Sequence, residues 1–256
     1  MATKTISLAI NGAAGRMGQR LIDLAGQDGR FKVVCAIEKA GHPLVGKSVG
    51  PVACTDTLAG EVDVIIDFSL PEGTQLILPA AVKARTAMVI GTTGLTLVQQ
   101  QIDEAAKQIP IVQAANYSVG INALLKLVAD AARILGDSYD IEIVEAHHRF
   151  KKDAPSGTAL ALAKSVCQAT GKDLAKSLRH GRQGEQPRTA GEIGMHALRL
   201  GDTVGEHAVQ FGSLGETVTL AHSAHTRDTF ALGALRAAAW IVGKPAGKYD
   251  MADVLF

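Results

Sequence analysis

Aromatic residues are scarce in this sequence, at 4% of 256 residues, and cysteine occurs only three times. A core with so few rings has to be built from Ala, Val, Ile and Leu, which favours β-branched strands packed under Ala/Leu-rich helices. Cys35, Cys54 and Cys167 are scattered, without the spacing of a metal site. So few cysteines, in an odd number, are typical of a protein from a reducing compartment.

Charge of one sign and long apolar runs are also missing. The 26 basic and 25 acidic residues nearly cancel, leaving a formal net charge of +1, and no block of like charge forms the footprint of a nucleic-acid-binding protein. No uninterrupted apolar run approaches the roughly 18 residues of a membrane span, and no signal peptide is recognisable. We expect a cytoplasmic enzyme with neither nucleic-acid nor membrane partners.

The first half of the sequence contains a regular alternation of apolar and helical segments. Strands that alternate with helices indicate an α/β fold with a Rossmann-like, doubly wound parallel sheet. The ligand crevice of such a sheet lies off the carboxyl ends of its strands. Each predicted strand ends in a small or polar cluster, and the five strands span residues 5–10, 32–37, 62–68, 87–90 and 110–113.

The pattern changes in the second half. A helix over 122–135, a strand over 140–146 and a helix over about 156–169 are predicted there. Three strand-like runs broken by glycines then follow between Gly194 and Ala224, a pattern typical of an antiparallel meander.

A final amphipathic helix over 229–242 resembles the first half in composition. We therefore expect the chain to return to its first domain. The predicted organisation is a dinucleotide-binding domain of residues 1–118 and 229–256, and a second α+β domain over 119–228. The second domain, with a mixed and mostly antiparallel open sheet, would bind substrate and form oligomer contacts.

A glycine-rich turn follows the first strand directly. Glycines let backbone amides approach a pyrophosphate closely, while the N-terminus of the next helix points at it. The spacing departs from the G-x-G-x-x-G fingerprint, but the turn lies between a strand and a helix, as the fingerprint requires. The alternative is a turn that merely lets helix and strand pack tightly. The predicted cofactor contacts here are Gly12, Ala13, Ala14, Gly15, Arg16 and Met17.

An acidic residue, Glu38, closes the second strand. Its carboxylate could accept hydrogen bonds from adenosine ribose hydroxyls, which favours NADH. Lys39 beside it could bind the 2′-phosphate of NADPH, so the sequence does not decide between the two cofactors. Two further loops would border the nicotinamide and its ribose, although each alone could be an ordinary loop: Gly91, Thr92 and Thr93, and Ala114, Ala115, Asn116 and Tyr117.

Two histidines and several charged residues crowd into the loop between residues 146 and 156, before a helix start. Positive charge beside a helix N-terminus suits a carboxylate, and histidines can move protons near neutral pH. The alternative is a capped helix behind a solvated loop, with Ser156 or Thr158 as the N-cap. Because adjacent residues at a strand end point to opposite sides, His147 and His148 are poorly placed to share a metal ion, and no metal is expected.

These motifs resemble those of the dihydrodipicolinate reductase family, also called 4-hydroxy-tetrahydrodipicolinate reductase. The resemblance covers Gly12–Gly18, Gly91–Gly94 and the pattern E-x-x-E-x-H-x-x-x-K-x-D-x-P-S-G-T-A over 142–159, and it extends to the end of the chain. It implies an NADH- or NADPH-dependent reductase of a small cyclic dicarboxylate, in lysine and diaminopimelate synthesis. It also implies a homotetramer that assembles largely through the sheets of the second domain.

The resemblance implies residue roles as well. His147 would donate or accept a proton and Lys151 would donate one, which leaves open the group that delivers the proton. The substrate carboxylates would be held by His148, Ser156, Gly157 and Thr158. Two other functions remain open: another Rossmann dehydrogenase that acts on an amino acid or polyol, and a non-catalytic dinucleotide sensor.

Overall fold

The computed structural model describes residues 5–256, which form two compact units. The first unit comprises the described residues up to Ser118 together with Asp228–Phe256, and the second comprises Val119–Arg227. Over residues 5–256, the apolar helices are all too short or too polar to cross a bilayer.

Eight strands form the sheet of the first unit. Numbered in chain order, they are β1 (Ile6–Asn11), β2 (Phe31–Ile37), β3 (Ser48–Val49), β4 (Val52–Thr55), β5 (Val64–Asp67), β6 (Ala87–Ile90), β7 (Pro110–Gln113) and β13 (Gly247–Tyr249). Their order is β13-β7-β6-β5-β1-β2-β4-β3, and every ladder is parallel except the one between β3 and β4. The helices are α1 (Arg16–Gln27), α2 (Pro71–Ala84), α3 (Gln99–Ala106), α7 (Asp228–Ile241) and α8 (Met251–Leu255).

Both faces of this sheet are covered. Every residue of β5 and of β6 is buried, as expected for strands that lie between two layers of helices. Alternate residues of β1 contribute to different cores: Leu8 and Ile10 pack with α1 and α7, and Ala9 packs with α2 and α3. The predicted doubly wound parallel sheet is therefore confirmed.

Five strands form the sheet of the second unit. They are β8 (Asp140–His147), β9 (Leu178–His180), β10 (Ile193–Arg199), β11 (Gly205–Ser213) and β12 (Glu216–Ala224), in the order β12-β11-β8-β10-β9. The helices of this unit are α4 (Val119–Leu135), α5 (Gly157–Thr170) and α6 (Leu174–Ser177). Side chains of α4 and α5 pack against one face of the sheet, where Ile143, Val209 and Phe211 are fully buried.

The predicted mixed sheet is confirmed. Of the predicted antiparallel meander, the pairing of β11 with β12 is confirmed and the pairing of β10 with β11 is wrong. Strand β8 lies between β10 and β11, parallel to the first and antiparallel to the second, and β9 pairs parallel with β10. The glycine turns show where strands end but not which earlier strand inserts between them. Apolar residues of β8, Ile141 and Ile143, are buried in the core of the unit, which places this strand at the centre of the sheet.

Helix α7 is fixed within the first unit by one ion pair and one close approach. Nε and Nη2 of Arg20 donate to the two carboxylate oxygens of Asp228 at 2.8 and 2.7 Å. A Cβ at Gly233 would overlap the carbonyl oxygen of Tyr117. The helix therefore packs directly on the backbone that follows β7, at the carboxyl end of the sheet.

Candidate functional site

The glycine turn between β1 and α1, here called the glycine cradle, packs closely against neighbouring backbone. Gly12 has a φ of +79°, and a Cβ there would lie 2.8 Å from the carbonyl oxygen of Phe68. A Cβ at Gly18 would overlap the carbonyl oxygen of Gly12. Gly15 is the N-cap residue of α1, and because it has no side chain, no side-chain hydrogen bond caps the first amides of the helix. The amides at this helix start therefore suit an anion such as a pyrophosphate.

Glu38 is held against this turn. Its Oε1 accepts a hydrogen bond from the amide of Ala14 at 2.9 Å, and its Oε2 accepts one from the amide of Lys39 at 3.3 Å. The carboxylate therefore lies beside the cradle, at the carboxyl end of β2. Lys39 and Arg16 are exposed, so their charges are available to a ligand phosphate.

The predicted nicotinamide loops of the first unit come together around one open cavity of about 410 Å³. Thr92, Thr93, Ala114 and Ala115 all belong to its lining, together with Gly94, Leu95, Thr96, Gln99 and Gln113. Gly91 lies behind the lining, where a Cβ would overlap the ring of Phe68.

Three predicted cofactor residues have side chains that belong to the core or to the loop scaffold. The Tyr117 ring is 1% exposed, and its hydroxyl lies 2.9 Å from the carbonyl oxygen of Ile90. Burial raises the pKa of this phenol well above its ordinary value. Ala13 is fully buried, and the side-chain oxygen of Asn116 accepts a hydrogen bond from the amide of Ser118. A contact from Ala13 or Tyr117 to a ligand would therefore come from the backbone.

In the second unit, Glu145 organises the predicted proton-carrying loop. The carboxylate is completely buried and accepts two hydrogen bonds from Arg199, each 2.9 Å long. It also accepts one from Nδ1 of His147 at 2.5 Å and one from the amide of Ser156 at 3.0 Å. Burial raises the pKa of Glu145, but the hydrogen bonds from Arg199 and His147 outweigh burial and leave it below its ordinary value.

His147 is the last residue of β8, and its Nδ1 is committed to Glu145. This orientation leaves Nε2 as the nitrogen able to exchange a proton with a ligand. Burial lowers the pKa of His147, and the neighbouring Glu145 carboxylate offsets only part of that effect. Nζ of Lys151 lies 2.9 Å from a carboxylate oxygen of Asp153, in the same loop.

The substrate residues predicted around the start of α5 have different environments. Ser156 is buried and caps the helix, because its Oγ accepts a hydrogen bond from the amide of Ala159 at 3.2 Å. Gly157 and Thr158 form the first helical positions. His148 is half-buried, and its Nδ1 is buried without a hydrogen-bond partner among residues 5–256.

The described residues contain no group of three or more His, Cys, Asp or Glu side chains arranged to hold a metal ion.

Two family models together match nearly the whole chain. The model described as "Dihydrodipicolinate reductase, N-terminus" matches residues 6–117, and that described as "Dihydrodipicolinate reductase, C-terminus" matches residues 120–255. The chain belongs to the dihydrodipicolinate reductase family. The resemblance predicted from the sequence motifs is therefore confirmed.

Curated relatives within the dihydrodipicolinate reductase family match over nearly their full length. The 4-hydroxy-tetrahydrodipicolinate reductase of Alkalilimnicola ehrlichii is 48% identical, over 98% of this chain and 99% of its own. That of Pseudomonas fluorescens is also 48% identical, over 97% and 98% of the two chains.

Solved structures share the fold. A dihydrodipicolinate reductase from Paenisporosarcina sp. TG-14, described as dipicolinate-bound, has a TM-score of 0.77 at 22% identity, over 96% of this chain and 98% of its own. An amine dehydrogenase from Mycobacterium smegmatis has a TM-score of 0.62 at 12% identity, over 96% and 94% of the two chains. At these identities the similarity shows a shared fold alone.

Sequence reasoning missed three residues that support the two sites of this reductase-family chain. Arg199 and His207, on β10 and β11, contact the loop from distant positions in the sequence. Asp67, at the end of β5, is fully buried and accepts hydrogen bonds from Asn11 at 2.9 Å and Thr74 at 2.5 Å. Burial raises the pKa of Asp67. The available signal for Asp67 was a carboxylate near the end of an otherwise apolar strand, predicted over 62–68.

Proposed function

We propose that this protein is a 4-hydroxy-tetrahydrodipicolinate reductase of lysine and diaminopimelate synthesis. It reduces (2S,4S)-4-hydroxy-2,3,4,5-tetrahydrodipicolinate to tetrahydrodipicolinate with NADH or NADPH, with uptake of one proton and loss of water. The observation that carries the proposal is the Glu145–His147 pair beside a capped helix start, in a chain that is 48% identical to curated reductases of that name. The first unit binds the dinucleotide and the second binds the substrate.

The glycine cradle suits the pyrophosphate of a dinucleotide because it leads directly into the start of α1, which no side chain caps and whose first amides have no intrahelical acceptor. The residues that would hold the cofactor are Gly12, Ala13, Ala14, Gly15, Arg16, Met17, Glu38, Lys39, Gly91, Thr92, Thr93, Ala114, Ala115, Asn116 and Tyr117. When bound, the reduced nicotinamide supplies a hydride. The fixed carboxylate of Glu38 supports binding of ribose hydroxyls and favours NADH, whereas the exposed Lys39 supports NADPH.

The substrate carboxylates are held at the start of α5. Helix N-termini favour anions because their amides and dipole point outward. Gly157 and Thr158 supply the first helical positions, Ser156 fixes the cap, and His148 and Lys151 add side-chain contacts. Because α5 has 14 residues, its dipole is that of a full helix rather than of a single turn.

Proton delivery is assigned to the loop that contains His147 and Lys151. The reduction adds negative charge to the conjugated ring system, and a nearby acid stabilises that charge and supplies the proton. Because burial lowers the pKa of His147, its ring is mainly uncharged at neutral pH. Lys151 is then the better proton donor, and Nε2 of His147 accepts or relays a proton.

The protein is further proposed to be a cytoplasmic homotetramer. Helices α4 and α5 pack on one face of the second sheet. The other face carries Val144, Leu198, Ala208 and Ala221, none of them fully buried in the single chain. Apolar side chains on an open sheet face support assembly through that face.

The direct test is oxidation of NADH and of NADPH, followed by absorbance, with substrate made in situ by enzymatic condensation of pyruvate and aspartate semialdehyde. We expect oxidation that depends on both precursors, and the ratio of kcat/KM values identifies the preferred cofactor. The absence of oxidation with either cofactor would contradict the proposal. Reduction of NAD⁺ with an amino acid or polyol in the same preparation would favour the alternative dehydrogenase.

A further inference from the structure

Four residues of the second unit form a closed ring of contacts around the start of α5. Glu145 accepts hydrogen bonds from Nδ1 of His147 and from the amide of Ser156. His207 completes the ring: its Nε2 lies 3.1 Å from Oγ of Ser156, and its imidazole meets that of His147 edge to face with centroids 5.1 Å apart. The other three members lie within residues 145–156, whereas His207 is 51 residues further along the chain.

The sheet register places His207 at this point. Strands β8 and β11 are antiparallel, and His207 is paired directly with Glu145, so both side chains lie on the same face. That face packs against α5, and His207 is only 5% exposed. A polar ring at this depth needs a hydrogen-bond partner, and Ser156 provides it.

The surroundings keep His207 uncharged. Burial lowers the pKa of His207 to about 4. Repulsion from His147, when that ring is protonated, contributes to the shift, and the opposing effect of Glu145 is smaller. His222 and Lys151 lower the pKa as well. A neutral imidazole shares a single hydrogen bond with Ser156, whichever nitrogen carries the proton. Its Nδ1 is buried without a partner among residues 5–256, so the polar contact of this ring is directed at Ser156.

We propose that His207 is a positioning residue of the substrate site, which acts through the hydroxyl of Ser156. It holds that hydroxyl in the geometry that caps α5, and its ring supports one edge of His147. The carboxylate-binding helix start and the proton-exchanging ring are thereby kept at a fixed separation. This inference rests on the proposed function, because it assigns His207 a role toward the dicarboxylate that α5 would bind.

The experiment replaces His207 by two amides, each of which mimics one nitrogen of the imidazole ring. Gln places its terminal amide near the position of histidine Nε2, whereas Asn places its amide near that of Nδ1. Dipicolinate, a non-reactive planar dicarboxylate, is the probe, and its Kd is measured by calorimetry on the full-length protein. His207→Asn is expected to raise that Kd about tenfold, the effect of losing one hydrogen bond, whereas His207→Gln stays within about threefold. The Kd for NADH is expected to be unchanged in both variants.

A second pair of variants tests the route through Ser156. Ser156→Gly removes the hydroxyl but keeps a residue that helix N-caps accept. Alone, it is expected to weaken dipicolinate binding by a factor similar to that of His207→Asn. In its background, His207→Asn should add less than about threefold, because the contact is already gone. If His207→Asn does not fold, His207→Phe replaces it, since Phe keeps the ring and lacks both nitrogens.

Three outcomes would overturn the inference. In the first, His207→Asn and His207→Gln both bind dipicolinate as tightly as the wild type. In the second, both variants lose the same amount of affinity. In the third, the effects of the His207 and Ser156 substitutions on the Kd are additive. Failure of the proposed function is a separate result, because wild-type protein would then neither bind dipicolinate nor reduce the hydroxylated substrate.

Discussion

The two candidate sites of this chain differ in the groups that form them: backbone atoms in one and ionisable side chains in the other. The turn after β1 consists of backbone: Gly12 and Gly18 leave no room for a Cβ, and the first amides of α1 have no intrahelical acceptor. The loop after β8 consists of buried ionisable side chains, with Glu145 joined to Arg199 and to His147. In the proposed reaction, the first site would hold an anion, whereas the second would hold an anion and also move a proton.

This difference predicts how each site fails. A backbone cradle loses function through steric overlap and is insensitive to pH, because amides do not titrate. A cluster of buried carboxylates and imidazoles loses function through unpaired charge, and its free energy changes with pH. The predictions that follow test this contrast, beginning with the largest expected effect.

Removal of the proton-carrying groups should have the largest effect on turnover. Lys151→Ala and His147→Ala are each expected to lower kcat by about 10²–10⁴-fold, the usual contribution of a general acid or base. The Kd for NADH should stay unchanged, because both residues belong to the second unit. Lys152→Ala, an exposed neighbour, is the control and should retain wild-type turnover. Unaltered kcat in both test variants would remove these residues from the proposed mechanism.

Glu145→Gln should have the largest effect on stability. It removes the negative charge that Arg199 and His147 surround, and an unpaired buried charge of this kind costs about 3 kcal/mol in the free energy of unfolding. Urea unfolding measures that loss. Glu185→Gln, in an exposed loop, is the matched control, and a change below about 0.5 kcal/mol is expected. Equal stability of the two variants would show that the Glu145 network contributes nothing to the fold.

Gly18→Ala tests the backbone cradle. A Cβ at Gly18 would overlap the carbonyl oxygen of Gly12, so the turn has to move, at a cost of about 1–3 kcal/mol. The Kd for NADH should rise at least tenfold, a change of about 1.4 kcal/mol. Gly26→Ala, in the same helix with open space around its Cβ, should bind NADH normally and unfold at a slightly higher urea concentration. If both variants bind NADH equally, the cradle does not hold the cofactor.

A pH titration should distinguish the backbone site from the site built of ionisable side chains. The pKa of His207 is lowered to about 4 in the folded chain, against about 6.5 when unfolded. The unfolded state then binds the proton more tightly, so protonation of His207 favours unfolding. The free energy of unfolding that the neutral imidazole contributes is complete above pH 6.5 and is lost as pH falls toward 4. Between pH 7 and pH 5 the loss amounts to about 2 kcal/mol.

His207→Gln is the comparison for that titration. Glu145, His147, Lys151 and His222 act on His207 in the wild type and remain in the variant, so the difference between the two unfolding curves isolates the imidazole. Parallel pH dependence of wild type and variant would contradict the assignment of a low pKa to His207.

Local segments of the fold were predictable from the sequence because their signals are local. The turn at Gly12 and the helix start at Ser156 each combine a strand, small residues and a helix within about ten positions. The central place of β8 was not predictable, because strand insertion depends on pairing between segments more than 50 residues apart. Short edge strands such as β3 and β13 carry too few residues for a periodic pattern to appear.

The same distinction applies to the candidate sites. The loop residues His147, Lys151 and Ser156 lie in one continuous motif and could be identified together. Arg199 and His207 contact that loop from neighbouring strands, and their own sequence surroundings resemble ordinary alternating strands. Only the register of β10 and β11 against β8 brings these two side chains to the loop.

Transfer of a labelled hydride tests most directly whether the two sites serve one reaction. The enzyme would be supplied with NADH carrying deuterium at the transferable C4 position, together with the hydroxylated dicarboxylate, and the product analysed by mass spectrometry. If the cradle and the Glu145–His147 cluster act together, tetrahydrodipicolinate gains a single deuterium on a ring carbon. Product without the label, or NADH oxidation that proceeds without the dicarboxylate, would contradict the proposed reaction.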